Sequence, residues 1–383
     1  MTGNVNVSAQ HESHNAKTPW ITITKRDGVG LKRRILIRVV AIFAALVLGS
    51  IITPLVTGDN PLSIYGTMVK GAFSEYRIWG TAQSFVMLLG VSLAVTPAFK
   101  MRFWNIGAEG QVLVGALATA AIMVYMGEAG YADWLIACVI VVAGIAAGMV
   151  WGVIPAVFKA YWKTNETLFT LMLNYVAIQL VEYFLKIADK SGSNTVGPSL
   201  LKHGRLPVLF GQQYMLNIIV VAILTLIIYI YLYYSKHGYE ISVVGESENT
   251  ARYIGINVKW VIIRTMALSG AICGLIGTLL VGATSYSIDA NLAGGNGFTA
   301  IMVSWLAKFN PLLMILTAAL IVFMSRGAEE VSTKFGLNTS YSEILTGIIL
   351  FFIIGCEFFI NYEVHFNRKR AVKKAEDIKE EAN

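Results

Sequence analysis

The stretch WLIACVIVVAGIAAGMVWGVIPAVF, residues 134 to 158, carries no charged side chain along its whole length. As a helix it is long enough to cross the hydrocarbon core of a bilayer, about 30 Å thick, which takes roughly 20 apolar residues. A lipid-facing backbone must satisfy its own hydrogen bonds, so such a segment is helical. The rest of the chain is of the same kind: 56% of its 383 residues are hydrophobic and 14% charged. That composition excludes an ordinary water-soluble enzyme. Apolar runs of spanning length recur at 35–56, 78–99, 214–234, 261–285 and 342–360. Weaker ones cover 104–126 and 166–186, and a broken pair, 298–308 and 311–325, is interrupted at Asn310-Pro311. The pattern predicts an all-α polytopic membrane protein with about ten transmembrane helices, some of them short or broken.

Counting the broken pair as two short crossings gives an even number of passes and puts both termini on one side. Lys25, Arg26, Lys32, Arg33 and Arg34 lie before the first span, and Arg368, Lys369, Arg370, Lys373 and Lys374 lie after the last. Basic residues collect on the cytoplasmic side, so both tails read as cytoplasmic. The organisation is then a cytoplasmic tail over 1–34, a membrane domain over 35–360 containing a cytoplasmic loop at 235–260, and a cytoplasmic tail over 361–383 ending in a solvated, mixed-charge stretch. The tail 1–34 is polar and leads into a full-length span, unlike a cleaved signal. The net charge of +7 is explained by this asymmetry and does not call for nucleic acid. Cys138, Cys273 and Cys356 each fall within a span without a CxxC pairing and read as small buried hydrophobes.

Catalytic constellations are lacking. The chain contains no Gly-Lys dipeptide and so no Walker A loop. His11, His14, His203, His237 and His365 lie in tails or loops without metal-ligand spacing. No cofactor is expected on this chain, and energy for active transport would come from a partner ATPase or an ion gradient.

The polar residues inside the spans carry the functional signal. FWNIGAEGQ, residues 103–111, sets Asn105, Glu109 and Gln111 among glycines at the start of a span. A charge at the bilayer centre costs about 2.5–3.5 kcal/mol, so Glu109 faces the bundle interior or a water-filled cavity. Two readings stay open there: a polar lining or switch beside a conduit, and a carboxylate that caps backbone amides and locks two helices. In the span NETLFTLMLNYVAIQLVEYFLK, Thr167, Thr170, Asn174 and Glu182 fall on one helical arc opposite Leu168 and Leu180, either lining a polar path or gluing helices. Gly144, Gly148 and Gly152, with Gly270 and Gly274, are spaced for close helix packing. GGNGFTAIMVSW, residues 294–305, brings Asn296, Phe298 and Trp305 to a short helix, where aromatics and amides could hold a ring-shaped polar solute. In the loop 235–260, Ser247 to Tyr253 predicts two turns of helix, capped by Ser247 and stopped near Gly255.

Taken in order, FWNIGAEGQ, NETLFTLMLNY, GESENTARYIGINV and NGFTAIMVSWLAKFNP resemble the ABC importer permeases of the branched-chain amino acid, ribose and nucleoside group, and most of all its nucleoside or simple-sugar branch. The likeness runs from about residue 35 to 360. It implies a second permease subunit of a different chain, a cytoplasmic ATP-binding subunit using ATP and Mg, and an extracellular or periplasmic substrate-binding protein, assembled in a bacterial plasma membrane. It also implies that Glu246, Asn249, Ala251, Arg252, Tyr253 and Gly255 hold the positions that dock in the ATPase. The expectation is therefore a nucleoside permease subunit working by alternating access. A simple-sugar permease is the rival within the group, and a gradient-driven carrier the rival outside it.

Overall fold

The computed structural model describes residues 21–25, 30–58, 60–75, 77–189 and 194–366. The chain divides into two compact units, Ile51–Gly347 on one hand and Met1–Ser50 with Ile348–Asn383 on the other. In the smaller unit, β1 (Ile21–Lys25) pairs antiparallel with β2 (Tyr362–Phe366), Ile21 opposite Phe366 and Lys25 opposite Tyr362. The helices in chain order are α1 (Leu31–Thr57), α2 (Pro61–Phe73), α3 (Ile78–Lys100), α4 (Ala108–Glu128), α5 (Asp133–Trp162), α6 (Glu166–Ala188), α7 (Met215–Tyr234), α8 (Lys236–Glu246), α9 (Glu248–Tyr253), α10 (Val258–Leu279), α11 (Asn296–Leu306), α12 (Pro311–Lys334) and α13 (Thr339–Asn361). Among the described residues, eight helices are long and apolar enough to cross a membrane. The protein is an all-α, polytopic membrane protein, as its composition predicts. The mixed-charge end of the C-terminal tail, beyond Phe366, and the first twenty residues of the N-terminal tail lie outside the described residues.

Several helix starts follow from local chemistry. Asn165 accepts the Leu168 N–H at 3.2 Å to cap α6, Asn257 caps α10 through Trp260 N–H at 3.2 Å, and Asn310 caps α12 through Leu312 N–H at 3.0 Å. Pro311 then occupies the first turn of α12, where its missing N–H costs nothing.

The core of the larger unit is a backbone-to-backbone junction of α4, α5 and α10. A Cβ placed on Gly148 would run into the Gly270 carbonyl oxygen and Gly274, one on Gly274 into the Gly144 carbonyl, and one on Gly115 of α4 into the Gly274 backbone. Side chains this small let helices approach closely where dispersion, rather than the hydrophobic effect, holds them together. The expected packing role of these glycines is what the structure shows.

Three elements differ from the sequence expectations. The broken pair is not two short crossings: α11 has 11 residues, half a crossing, and α12 has 24, a full one. The apolar run ends at 325 because Arg326, Glu329, Glu330 and Lys334 follow. These charges are partnered, Arg326 with Glu329 at 2.7 Å, Glu330 with Arg77 at 2.6 Å, and Lys334 with Thr67 at 3.0 Å. The third span starts at Ala108 rather than 104, because residues 101–107 are a non-helical rise stabilised by tertiary contacts. Finally, the loop 235–260 contains an additional helix, α8, before the expected one.

Candidate functional site

FWNIGAEGQ forms a non-helical lead-in and the first turn of α4, and three other helices close on it. Thr170 Oγ1 of α6 accepts the Ile106 N–H at 3.2 Å. One turn on, Asn174 holds both neighbours of the turn: its Oδ1 accepts the Gly110 N–H at 2.9 Å, and its Nδ2 donates to the Ile106 carbonyl at 2.9 Å. Asn105, fully buried, accepts the Gly107 N–H at 3.1 Å and donates to Ser269 Oγ of α10 at 3.1 Å, with Gln111 beside it at 3.3–3.4 Å. An unwound segment inside a bilayer is tolerated only when its backbone groups find such partners.

Glu109 has the geometry of the capping option. Its Oε1 accepts the Gly295 N–H and its Oε2 the Gly297 N–H, both at 2.7 Å, so one carboxylate caps the start of α11 from the first turn of α4. Two helix N-termini, each carrying partial positive charge, thus meet around one negative group. Gly297 is required for this approach, since a Cβ there would lie 2.5 Å from the Glu109 nitrogen and 2.8 Å from Oε2. Gly295 takes a left-handed φ of +73°, which turns its N–H toward the carboxylate without side-chain strain.

The predicted path residues therefore fall into two groups. Asn105, Glu109, Gln111, Thr170 and Asn174 come together, are buried, and have their polar atoms engaged by backbone and one another. Asn296, Phe298 and Trp305 lie on α11, with Phe298 and Trp305 half-exposed. Thr167 and Glu182, the other members of the predicted α6 arc, are only partly buried. Trp104 was not singled out from sequence. Its ring lies 5.6 Å from that of Trp305 and 5.7 Å from that of Phe99, and Trp305 in turn meets Phe309. The signal available for it was its place inside FWNIGAEGQ; Ser269, by contrast, has no local signal at all.

At the end of the unit where α3 and α7 finish, α8 and α9 form a separate platform. Gly245 of α8 packs against the Lys100 carbonyl, and Gly238 against the carbonyls of Tyr231 and Leu232. Ser247 accepts the Thr250 N–H at 3.2 Å to start α9, and Gly255 ends it with φ +85°, which is the predicted capped and stopped helix. Glu246, Asn249, Arg252, Tyr253 and Gly255 are exposed, Tyr253 by 93%. Ala251 is fully buried and anchors α9 instead of facing outward. Arg252 pairs with Glu248 at 2.9 Å. The platform is tied to α10 through Glu240 on α8, which meets Arg264 at 2.9 Å. Burial would raise the Glu240 carboxyl, but Arg264 and His237 outweigh it and hold it below the ordinary carboxylate range. A lowered carboxyl pKa stabilises the fold above the unfolded pKa, so this link is intact at neutral pH and weakens in acid.

The larger unit is thus a membrane helix bundle with a half-crossing helix, a polar junction at its tip and a separate surface platform of α8 and α9. The family comparison gives it a place: the chain belongs to the family described as branched-chain amino acid transport system / permease component, whose model matches residues 77–354. It is similar to the guanosine ABC transporter permease protein NupP of Bacillus subtilis, at 29% identity over 89% of this chain and 97% of the relative. The glucose ABC transporter permease protein TsgB13 of Haloferax volcanii is 28% identical over 85% and 88% of the two chains. The nucleoside ABC transporter permease protein NupB of Lactococcus lactis is 27% identical over 91% and 97%. No solved structure matches the chain. The resemblance read from the motifs is thus correct, and the protein is a permease subunit of the ABC importer kind.

Proposed function

We propose that this permease moves nucleosides inward by alternating access, as one of two non-identical permease subunits in a bacterial plasma membrane. A cytoplasmic ATP-binding subunit, using ATP and Mg, docks on α8 and α9, and an extracellular or periplasmic binding protein delivers the solute. This chain itself binds no cofactor. The observation that carries the reading is the pair of half-exposed indole rings, Trp104 and Trp305, which meet near the end of α11 remote from its Glu109-capped start. Half-exposed indole rings on a membrane helix bundle suit a polar aromatic solute. Similarity to guanosine and nucleoside permeases supports that choice. Asn105, Glu109, Gln111, Thr170 and Asn174 hold the gate, while Asn296, Phe298 and Trp305, with Trp104, face the solute. Pairing of β1 with β2 supports both tails leaving on the same, cytoplasmic, side.

The test is uptake of radiolabelled guanosine in cells lacking this chain and in cells with it restored, with excess ribose or glucose as competitor. Uptake that disappears, returns and resists both sugars upholds the nucleoside reading. Unchanged guanosine uptake overturns it, and the similarity to a glucose permease makes glucose the next solute to measure.

Docking makes a second prediction. Tyr253 is almost wholly exposed, so Tyr253→Asp leaves the chain folded and at normal abundance in the membrane. If its ring is an anchor in the ATPase cleft, loss of about 2–4 kcal/mol of docking energy abolishes uptake and co-purification of the ATPase. Normal co-purification of Tyr253→Asp with the ATPase would remove α9 from the interface.

A further inference from the structure

The half of α6 that does not touch α4 has its own polar signature. Tyr175 and Tyr183 are exposed by 59% and 66%, Gln179 is exposed, and Glu182 is half-buried. At about 1.5 Å per residue, Gln179 lies roughly 3 Å and Glu182 roughly 8 Å from the midpoint of Glu166–Ala188. Both are therefore within the hydrocarbon layer, where an amide or carboxylate is not left against lipid. The exposed faces of other spans behave differently. On α7 it consists of Ile223, Leu226, Ile227 and Ile230, and on α12 of Leu312, Leu313, Ile315 and Leu316, as lipid requires.

We infer that the outward face of α6, through Tyr175, Gln179 and Glu182, lines a water-filled passage for the polar solute. A dry contact with another helix is disfavoured by the side chains themselves. Tight helix contacts in this protein use glycine, as α5 and α10 do, whereas the small residue of this α6 segment, Ala177, is buried on the other side. The start of the helix is apolar at Leu168 and Met172, and Val176, Leu180 and Ile187 are exposed on the flank of its middle and far half, which narrows the wetted stretch to the strip through Tyr175, Gln179 and Glu182. The inference rests on the permease reading and adds to it a wall that is rotated away from Thr170 and Asn174.

The experiment uses the complete transporter in membranes with Cys138, the exposed native cysteine, replaced by serine. Single cysteines are introduced as Tyr175→Cys, Gln179→Cys and, as a lipid-facing reference, Ile227→Cys. Each is treated with a charged, membrane-impermeant methanethiosulfonate, which reacts only where water admits it and ionises the thiol. The expected result is labelling of Gln179→Cys and Tyr175→Cys at least about tenfold faster than Ile227→Cys. Two positions keep the test alive if one variant fails to assemble. Labelling of both α6 cysteines as slow as that of Ile227→Cys overturns the inference. Guanosine supplied with ATP to the labelled pair separates this claim from the nucleoside reading: protection upholds both, while fast labelling that glucose slows and guanosine does not keeps the wetted wall and overturns guanosine as the solute.

Discussion

Glu109→Ala is expected to abolish uptake and to lower the melting temperature of the purified chain, because it leaves the part-buried Gly295 N–H and the buried Gly297 N–H without their acceptor. Each charge-assisted bond contributes about 1.5–3 kcal/mol, so the loss at this junction is about 3–6 kcal/mol. The carboxylate also separates two helix N-termini, and its removal adds repulsion between them. Glu109→Gln is the sharper test. It preserves size and one acceptor oxygen, but turns an NH₂ toward the second N–H, so about half the loss remains. Glu109→Asp retains the charge and falls short of α11 by one methylene. Hydrogen exchange at Gly295 and Gly297 reads the local effect directly. Unchanged exchange and melting in Glu109→Gln would mean that the cap does not hold α11.

The second large effect is expected at Gly274. Gly274→Leu places a Cβ against the Gly144 carbonyl and 3.1 Å from the Gly148 Cα. Its obstacles are backbone atoms of α5, so no rotamer change relieves the clash, and the helices must part along their length. Overpacking a core costs about 1–3 kcal/mol where side chains can shift, and here it exceeds that range. The chain should fail to accumulate in the membrane. Gly80→Ala serves as the opposite control: nothing lies within 4 Å of its added Cβ, and a helical Gly→Ala change stabilises by about 0.5–1 kcal/mol. Normal abundance of Gly274→Leu would show that the α5 and α10 backbones are not in direct contact.

Much of the site could be read from sequence as types of residue, and little of it as contacts. Glu109 stood out because a carboxylate among apolar residues demands a reason, and the reading that it caps amides was already one of two physical options. Its partners, Gly295 and Gly297, are nearly two hundred positions away, and no local rule connects them. Asn174 was placed on a polar arc by helical periodicity, yet periodicity gives direction relative to the helix axis and not the neighbour in that direction. The arc was therefore right as geometry while two of its members, Thr170 and Asn174, turned out to hold the backbone of FWNIGAEGQ. The start of α4 lies at Ala108 because hydrogen bonds from α6 and α10, remote in the chain, let the residues before it remain unwound. The extension of α12 is hidden by charges whose partners lie partly within it, as in Arg326–Glu329, and partly on earlier segments, at Arg77 and Thr67.

By itself the sequence determined the environment and the secondary structure: hydrophobicity summed over twenty residues is a local quantity, and so are the caps at Asn165, Ser247, Asn257 and Asn310 that start four of the helices. Glycine spacing likewise marked which helix faces could approach closely. What each buried polar group does follows from the packing of distant segments. In a bilayer every such group must find a partner, and which partner it finds depends on distances between segments remote in the chain. Glu109 became a clasp between α4 and α11, and α6 acquired one polar face for its neighbour and another turned outward, because the packing of glycine-bearing helices fixed those distances.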